Sequence, residues 1–556
     1  MLKNVAAVFC LMSVFGLNAE PLALTWEGET FGKFSDNAWS GGVEGHATPQ
    51  DGDALVFPIG GCFTNDIEGL KVAGISVSAT EALILEGRQM TILGGGAFSN
   101  TGSSCCTNNI PLIVGTEQGQ TVCFNVAQNK ELTLNACISG LADLVHNNDS
   151  AFNGTLNLCA DSDYTGKTTL KNGKVNVYAD GAFGSAEGGM VAVNETKGGL
   201  VVRFYGVTMS ENIDISVKPL KYNPNAGESH SVGFFGNNTF NGSWVHRAVG
   251  MYYVKDYSTN TFNGVFSARD SLYLTMKSND TCKFVFNGEG SIFATADYYY
   301  TANITYSARC TSGNLVFSRA SDEEYSNWCE QPQKRYFNCE NAMLYDPAKP
   351  AAIIFTINKS LADMCGFDQT FDYIECASAS CSGCTIASES PSVVHLTLAD
   401  GSAVTNYAKC TGQVSLSFEG PRPVALGSSA NTSTGSLMLG NGSSVALLDG
   451  FNWNGDALSV NGGSTLKIEG NVELAKDVAL SIADRDAAGD EEAKSSRIIL
   501  DGDMHVDTLT LNGKVRYGGR TYGSSLSPAD VKDDVHFAGV GVVHVRRPVG
   551  FIVICK

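Results

Sequence analysis

Two pairs of carboxylates are the residues best placed to carry acid/base chemistry or to bind a cation. Asp66 with Glu68, and Asp161 with Asp163, are each two residues apart, a spacing that puts both side chains on one face of a β-strand. Carboxylates so placed could bind calcium or act as acid and base on a glycosidic bond. The alternative is that they are solvated strand or turn residues. We favour the alternative and assign no catalytic residue, no metal ligand and no cofactor.

A second candidate for chemistry is Gly166-Lys167-Thr168, which ends like a phosphate-binding P-loop. The P-loop also needs a glycine five residues before its second glycine, and that position is Asp161 here. A carboxylate facing a triphosphate would be repulsive, so nucleotide binding is excluded. The acidic run 484–492 lacks EF-hand spacing and is interpreted as an exposed loop. The sequence has neither a Gly-x-Ser-x-Gly elbow nor a His-Glu-x-x-His motif, so it supports no hydrolase triad or metalloprotease.

Cysteines are concentrated in one segment of about 100 residues. Within it, Cys381-Ser-Gly-Cys384 has the spacing of zinc ligands, with Cys376 and His395 nearby. No second pair has comparable spacing, and an exported chain oxidises such cysteines, so we favour disulfides over zinc. The disulfide candidates are Cys310, Cys329, Cys339, Cys365, Cys376, Cys381, Cys384 and Cys410.

The N-terminus and the charge balance indicate the compartment and exclude one class of partner. Lys3, the apolar run 5–17 and the small residue Ala19 occur in the order of a secretory signal peptide. No later stretch is apolar over about 18 residues, so we expect no spanning helix in the mature chain. Asp and Glu number 57 against 37 Lys and Arg, a formal net charge of −20. Such a chain would repel a nucleic acid, and no basic cluster offsets this.

Internal repeats indicate the architecture that must position these residues. Residues 441–450 align without gaps on 461–470, and 495–502 form a looser third copy. Upstream, Phe-Asn-Gly recurs at 240–242, 262–264 and 286–288, spacings of 22 and 24 residues. Short strands separated by turn residues every 20 to 24 residues fit one coil of a β-solenoid better than a hairpin. We therefore predict an all-β, right-handed parallel β-helix.

The gapless alignment also predicts which side chains point inward. It places Ala446 on Leu466, with Ile498 at the same place in the third copy. Leu448 falls on Ile468 in the same way, with Leu500 in the third copy. Strand alternation would stack these residues in the core, coil on coil.

Residues 163–175 resemble the passenger-associated repeat of bacterial autotransporters and related exported proteins. Ser162, Lys167 and Val175 stand where that pattern usually has Asn, Gly and Leu. Residues 24–28 and 52–57, which open the predicted mature chain, are also similar to the first coils of large exported β-helix proteins. The residues that carry the motif are Tyr164, Thr165, Gly166, Thr168 and Gly173.

The resemblance implies an exported, non-enzymatic β-solenoid with a cell-surface structural or adhesin-like role. Its partners would be glycans or other cell-surface molecules, and its location extracellular, at the outer membrane or in the periplasm. The alternative is a polysaccharide lyase or glycoside hydrolase on the same scaffold, because fold does not decide function. The predicted domains are a signal peptide (1–19), an N-terminal solenoid (20–309, with the repeat at about 138–190), a cysteine-rich irregular segment (310–410), and C-terminal coils with a capping tail (411–556).

Overall fold

A computed structural model describes most of the chain. The described residues are 23–41, 48–149, 151–193, 199–217, 232–247, 250–254, 258–268, 272–276, 283–293, 303–312, 315–317, 334–343, 351–356, 359–378, 383–485, 494–516 and 518–546. They form strands, turns and loops, with no helix among them. The predicted signal peptide and the end of the predicted capping tail lie outside these residues. The chain forms two compact units, Met1–Cys282 and Lys283–Lys556, which are described one at a time.

The strands of the N-terminal unit are short, and each is followed by a turn or loop. Their bounds are β1 Ala23–Trp26, β2 Phe31–Lys33, β3 Trp39–Ser40, β4 Ala54–Phe57, β5 Gly61–Asn65, β6 Lys71–Val77, β7 Leu83–Gly87, β8 Met90–Asn100, β9 Cys106–Asn108, β10 Leu112–Val114, β11 Thr121–Val126, β12 Glu131–Leu134, β13 Ile138–Gly140, β14 Asp143–His146, β15 Thr155–Leu158, β16 Thr168–Leu170, β17 Gly173–Val177, β18 Met190–Val193, β19 Leu200–Tyr205, β20 Thr208–Met209, β21 Ile213–Ser216, β22 Val232–Phe235, β23 Asn238–Phe240, β24 Trp244–His246, β25 Gly250–Val254, β26 Thr259–Phe262, β27 Phe266–Ala268 and β28 Leu272–Met276.

These strands form three sheets in which successive coils supply neighbouring strands. The first has the order β3-β1-β4-β6-β8-β11-β14-β16-β18-β21-β24-β27, with β10 beside β8 and β13 beside β10. The second has the order β2-β5-β7-β9-β12-β15-β17-β19-β22-β25-β28, and the third β20-β23-β26. Pairing is parallel from coil to coil, while β1 and β3 pair antiparallel. This is the strand order of a parallel β-solenoid, so the predicted fold class is confirmed.

The C-terminal unit repeats the same arrangement with different strand lengths. Its strands are β29 Lys283–Phe286, β30 Ser291–Phe293, β31 Asn303–Tyr306, β32 Cys310–Ser312, β33 Leu315–Phe317, β34 Lys334–Phe337, β35 Ile353–Phe355, β36 Leu361–Asp363, β37 Gln369–Phe371, β38 Ile374–Glu375, β39 Thr385–Leu396, β40 Val404–Asn406, β41 Lys409–Glu419, β42 Val424–Leu426, β43 Leu437–Gly440, β44 Ser444–Leu447, β45 Asn452–Trp453, β46 Ala457–Asn461, β47 Thr465–Ile468, β48 Glu473–Leu474, β49 Ala479–Ala483, β50 Arg497–Leu500, β51 Met504–Val506, β52 Thr508–Leu511, β53 Lys514–Val515, β54 Thr521–Gly523, β55 Val531–Lys532, β56 Phe537–Gly539 and β57 Val543–Val545.

The larger sheets of this unit also grow by adding one strand per coil, although β53 pairs antiparallel with β52, and β54 pairs antiparallel with β57. The longest runs β29-β31-β34-β36-β39-β41-β43-β46-β49-β52-β53, and a second runs β40-β42-β44-β47-β50-β56. Smaller sheets are β30-β32, β33-β35-β38, β45-β48 and β51-β57-β54-β55. The described parts of 310–410, predicted to be irregular, therefore contribute parallel strands as well as loops.

The core forms because inward side chains stack on the equivalent residues of the next coil. In the first sheet Leu55 pairs with Ile75, Ile75 with Phe98, and Phe98 with Phe124. All four are buried, since alternate strand residues point into the solenoid. His146 continues this column next to Phe124, and burial lowers its pKa to about 4, so the ring stays neutral inside the core.

The predicted register of the 441–450 repeat is wrong by one residue. Val445 pairs with Leu466 and Leu447 with Ile468, a step of 21 residues, and all four side chains are buried. Ala446 lies opposite Lys467 instead, and it is only half-buried. A shift of one residue turns a strand over, so Ala446 and Leu448 do not occupy the core positions assigned to them.

The later part of that prediction holds. Ile498 pairs with Leu466, and Leu500 pairs with Ile468. The first two Phe-Asn-Gly copies also stack on each other, because Phe240 pairs with Phe262 and their rings lie 5.0 Å apart, nearly parallel.

Polar ladders hold the corners of the coils, where the backbone leaves the sheets. Asn431 donates from Nδ2 to the carbonyl oxygen of Asn452 at 2.7 Å, and Asn452 returns the bond at 2.8 Å. In the N-terminal unit Asn238 donates to Oδ1 of Asn260 at 2.8 Å. Such bonds satisfy backbone and amide groups that the turns would otherwise leave buried and unpaired.

Candidate functional site

Residues 163–175, which resemble the passenger-associated repeat, begin in the loop after β15, include β16 and end in β17. Tyr164 is buried, and its hydroxyl shares a hydrogen bond with that of Thr168. Thr165 is exposed, and its backbone N–H donates to the carbonyl oxygen of Gly140 in the preceding coil at 3.0 Å. These contacts close the coil and leave only Thr165 of the three facing solvent.

The two glycines of the motif allow close approach between coils. A Cβ at Gly166 would lie 2.0 Å from the carbonyl oxygen of Ala142. Gly173 has a φ of +81°, and a Cβ there would lie 2.3 Å from the oxygen of Gly154. No other residue type fits both positions without displacing the neighbouring coil. The motif therefore builds the coil and supplies no group for chemistry.

The predicted carboxylate pairs lie in turns and loops, not on strand faces as expected. Asp66 accepts bonds from the backbone N–H and the hydroxyl of Ser35 at 3.0 and 2.6 Å. Partial burial alone would raise the pKa of Asp66, but these bonds hold it below its ordinary value. Glu68 pairs with Arg88 at 2.8 Å. This pair connects neighbouring coils.

The second pair lies in the irregular segment between β15 and β16. Asp161 accepts a bond from the backbone N–H of Gly181 in the next coil at 3.0 Å. The backbone N–H of Asp163 donates to the carbonyl oxygen of Ile138. Because neither residue is on a strand, the argument that placed both carboxylates on one strand face does not apply.

The cysteine-rich segment places most of its described thiols in or near the core. Cys310 and Cys410 are buried, whereas Cys339 and Cys365 are half-buried. Burial raises the pKa of the Cys410 thiol to about 12, so it is protonated and unreactive at neutral pH. Cys376 and Cys384 are also buried, and Cys329 and Cys381 lie outside the described residues.

No two described cysteines are at bonding distance, so the disulfides stay a prediction. Zinc binding by the Cys381 pair cannot be placed on the described residues, because one ligand is outside them. Within the part of the chain that the structure describes, no three His, Cys, Asp or Glu side chains converge as a metal site would need.

A groove of about 580 Å³ opens on the C-terminal unit beside this segment. Its walls include Glu289, Arg309, Cys339, Asn341 and Thr370. The polar groups already bond to one another: Arg309 pairs with Glu289 at 2.7 Å, and Thr370 donates to Oδ1 of Asn341 at 2.9 Å. These polar side chains of the groove therefore bond to one another.

A carboxylate–histidine cluster forms where the acidic run 484–492 begins. Nδ1 of His536 lies 2.8 Å from Asp533, and Nε2 lies 3.1 Å from Asp484. Burial would raise the pKa of both carboxyls, yet hydrogen bonds, including those with His536, lower them. The ring of His536 lies between the two carboxylates and connects the loops that carry them. Residues 486–493 lie outside the described residues.

Glu211 is an ionisable group that the sequence did not mark. It is 2% exposed, one oxygen accepts the backbone N–H of Ser210 at 2.8 Å, and the other is buried without a hydrogen-bond partner. Burial raises its pKa, with a smaller contribution from Asp180. A raised pKa is typical of a catalytic acid, but this carboxyl is sealed from any substrate. In the sequence it looks like an ordinary turn residue.

The outer face of the second sheet carries an aromatic ladder, made of Tyr178, Tyr205 and Phe235. The ring of Tyr205 stacks on Tyr178 at 4.4 Å and on Phe235 at 4.7 Å. Tyr178 is 45% exposed, and burial with the neighbouring Tyr205 raises its pKa to about 12. The rings are 27 and 30 residues apart in sequence, so no fixed period reveals them.

A polar strip runs beside the ladder on the same face, made of Asn157, Asn176 and Arg203. Asn157 pairs with Asn176, and Asn176 pairs with Arg203, on three neighbouring strands. Asn176 donates to Oδ1 of Asn157 at 2.8 Å. The guanidinium of Arg203 lies 5.8 Å from the ring centre of Phe235, within the range of a cation–π interaction. Ladder and strip together form the face best suited to contact another molecule.

Comparison with protein-family models, curated proteins and solved structures finds no match to this chain. Among the described residues, no helix is long and apolar enough to cross a membrane.

Proposed function

We propose that this chain is an exported, non-enzymatic β-solenoid that works at the cell surface in a structural or adhesin-like role. Its scaffold is the passenger-type repeat, and its partners are glycans or other cell-surface molecules. The parallel solenoid is compatible with this role, because stacked coils present a continuous, rigid outer face.

The observation that carries the proposal is the aromatic ladder. Tyr178, Tyr205 and Phe235 stand on three successive coils and are held in register by stacking. Tyrosine and arginine are enriched where proteins bind partners, since they offer large rigid surfaces with polar ends. A rigid row of such side chains on a sheet face suits adhesion.

The positions of the carboxylates support a non-enzymatic role. Asp66, Glu68 and Asp161 each bond to a residue of a neighbouring coil, at 2.6 to 3.0 Å. A general acid or base must instead direct its oxygen at a substrate. These three carboxylates stabilise the stack of coils.

Two measurements on the full chain test the proposal. Antibody labelling of intact producing cells should detect the protein outside the cell, and beads coated with purified protein should adhere to glycan-bearing surfaces. The double substitution Tyr178→Ala and Tyr205→Ala should reduce bead adhesion. Phe31→Ala removes a 73% exposed ring elsewhere on the same unit and should leave adhesion unchanged.

Two results would contradict the proposal. One is retention of the protein inside intact cells. The other is turnover of a polysaccharide that is abolished by Asp66→Asn or Asp161→Asn, since this would make the chain a lyase or hydrolase.

A further inference from the structure

We propose that the polar strip beside the aromatic ladder binds an acidic glycan, and that Arg203 recognises the sugar carboxylate or sulfate. This inference rests on the proposed function and names the partner class that the adhesive face would take.

The first observation is the environment of Arg203. Its side chain is half-buried on the outer face of the sheet, and none of the described carboxylates forms an ion pair with it. Nε is sealed without a hydrogen-bond partner, and the guanidinium lies over the ring of Phe235. A planar guanidinium fixed by a ring is preorganised to bind a carboxylate or sulfate through parallel hydrogen bonds.

The second observation is that neither strand neighbour of Arg203 offers its guanidinium a charged partner. On one side Arg203 pairs with Gly233, which has no side chain to cover the guanidinium. On the other side it pairs with Asn176, which is 8% exposed and whose Oδ1 has no hydrogen-bond partner. An unsatisfied buried amide beside an arginine without an ion pair costs stability, and such a cost is typical of a binding site.

The third observation is the spacing of the groups along the face. Asn157, Asn176 and Arg203 occupy consecutive coils, about 4.8 Å apart as neighbouring strands are. Asn157 donates to Glu131 and Thr133, and Asn176 donates to Asn157, so these two buried amides hold the strip in place beneath the surface. The accessible groups are the ring edges of Tyr178 and Tyr205 and the half-buried guanidinium of Arg203, which an extended oligosaccharide lying across the strands would meet in turn.

The acids near this face are already engaged. Glu131 accepts a bond from Asn157 at 2.7 Å, and Asp180 accepts one from the backbone N–H of Thr208 at 2.7 Å. These bonds leave both carboxylates charged, but neither forms an ion pair with Arg203, whose guanidinium has no ionic partner among the described carboxylates. This favours an anionic sugar over a neutral one, even though the chain as a whole carries a net charge of −20.

The test compares two probes whose carboxyl groups are ionised in one and methyl-esterified in the other. Isothermal titration of the purified full chain with tetragalacturonate should give saturable binding. The methyl-esterified tetrasaccharide, which has no carboxylates, should bind at least about 10-fold more weakly, since charged hydrogen bonds are the stronger kind. Equal binding of the two probes, or binding of neither, would overturn the inference.

A variant pair locates the site. Arg203→Gln should weaken tetragalacturonate binding at least about 10-fold, whereas Arg203→Lys should retain part of it. Arg88→Gln makes the same charge change on the same unit, at an arginine already paired with Glu68, and should leave binding unchanged. If Arg203→Gln binds like the wild type, the assignment to this strip is wrong.

Failure here is distinguishable from failure of the proposed function. If coated beads still adhere to cells while the chain binds neither oligosaccharide, the acidic-glycan inference falls and the adhesin-like role stands. If the protein is found only inside cells, the proposed function falls whatever the titration shows.

Discussion

Replacing Leu447 by alanine should destabilise the C-terminal unit far more than replacing its neighbour Leu448. Leu447 is fully buried opposite Ile468, whereas Leu448 follows the strand and is half-buried. Truncating a fully buried leucine removes its transfer free energy and leaves a cavity, for a loss of about 2–5 kcal/mol. A partly exposed leucine at a strand end should cost about 1 kcal/mol or less.

Two measurements check this pair of substitutions. Urea unfolding followed by far-ultraviolet circular dichroism gives the change in the free energy of unfolding. Hydrogen exchange with mass spectrometry locates it, because β42 and β47 pair with β44 and should lose protection in Leu447→Ala. If Leu448→Ala costs as much as Leu447→Ala or more, the strand has the opposite face inward and the 21-residue register is wrong.

Four further predictions follow from the residues described above. Burial raises the pKa of Glu211 above its unfolded value, so the folded state loses stability as pH rises from the ordinary glutamate pKa to the raised one. In urea unfolding, the free energy of unfolding of Glu211→Gln should therefore increase relative to the wild type as pH rises above the ordinary glutamate range. Burial alone would raise the pKa of Asp533, but its hydrogen bonds with His536 lower it. The ionised carboxylate of Asp533 therefore stabilises the folded state at neutral pH, and this stabilisation is lost as pH falls through the lowered pKa. Asp533→Asn should therefore cost about 1 kcal/mol at pH 6 and progressively less as pH falls below the ordinary range of an aspartate. Gly166→Ala should lower the free energy of unfolding by about 1–3 kcal/mol in the same assay, because its Cβ would lie 2.0 Å from a carbonyl oxygen. Thr165 is exposed, so Thr165→Ala should lower it by less than about 0.5 kcal/mol. No two of the six described cysteines between Cys310 and Cys410 are at bonding distance, so mass mapping without reductant should find at least four free thiols there, and fewer would favour the disulfides predicted from the sequence.

The architecture could be predicted from the sequence because its turns are marked by residue type. Asn441 and Gly442 take positive φ values of 51° and 75°, conformations that Asn and Gly tolerate best. The register could not be predicted from these residue types. In the next coil the equivalent turn residues are Gly462 and Gly463, with φ values of 66° and 76°. The sequence also has an Asn-Gly pair beginning at Asn461, so matching the two Asn-Gly pairs shifts the alignment by one residue. Only coil-to-coil pairing distinguishes the two alternatives.

The site was less predictable than the fold. A two-residue spacing places Asp66 and Glu68 together only if the segment is a strand, and the sequence does not show that a turn begins there. The rings of Tyr178 and Tyr205 come together because the intervening loops differ in length while the strands stay in register. Ladders of this kind depend on pairing between coils, which local sequence patterns do not encode.

The pairing of Leu466 with Ile498 shows how this architecture can accept new material. Val445 and Leu466 are 21 residues apart, whereas Leu466 and Ile498 are 32 apart, yet each pair is in register on neighbouring strands. The extra residues are accommodated between strands, and the free energy of closing a longer loop grows only with the logarithm of its length. The connections between coils are thus natural points of insertion, where the sequence can vary or a grafted epitope can be placed without changing the residues of the core.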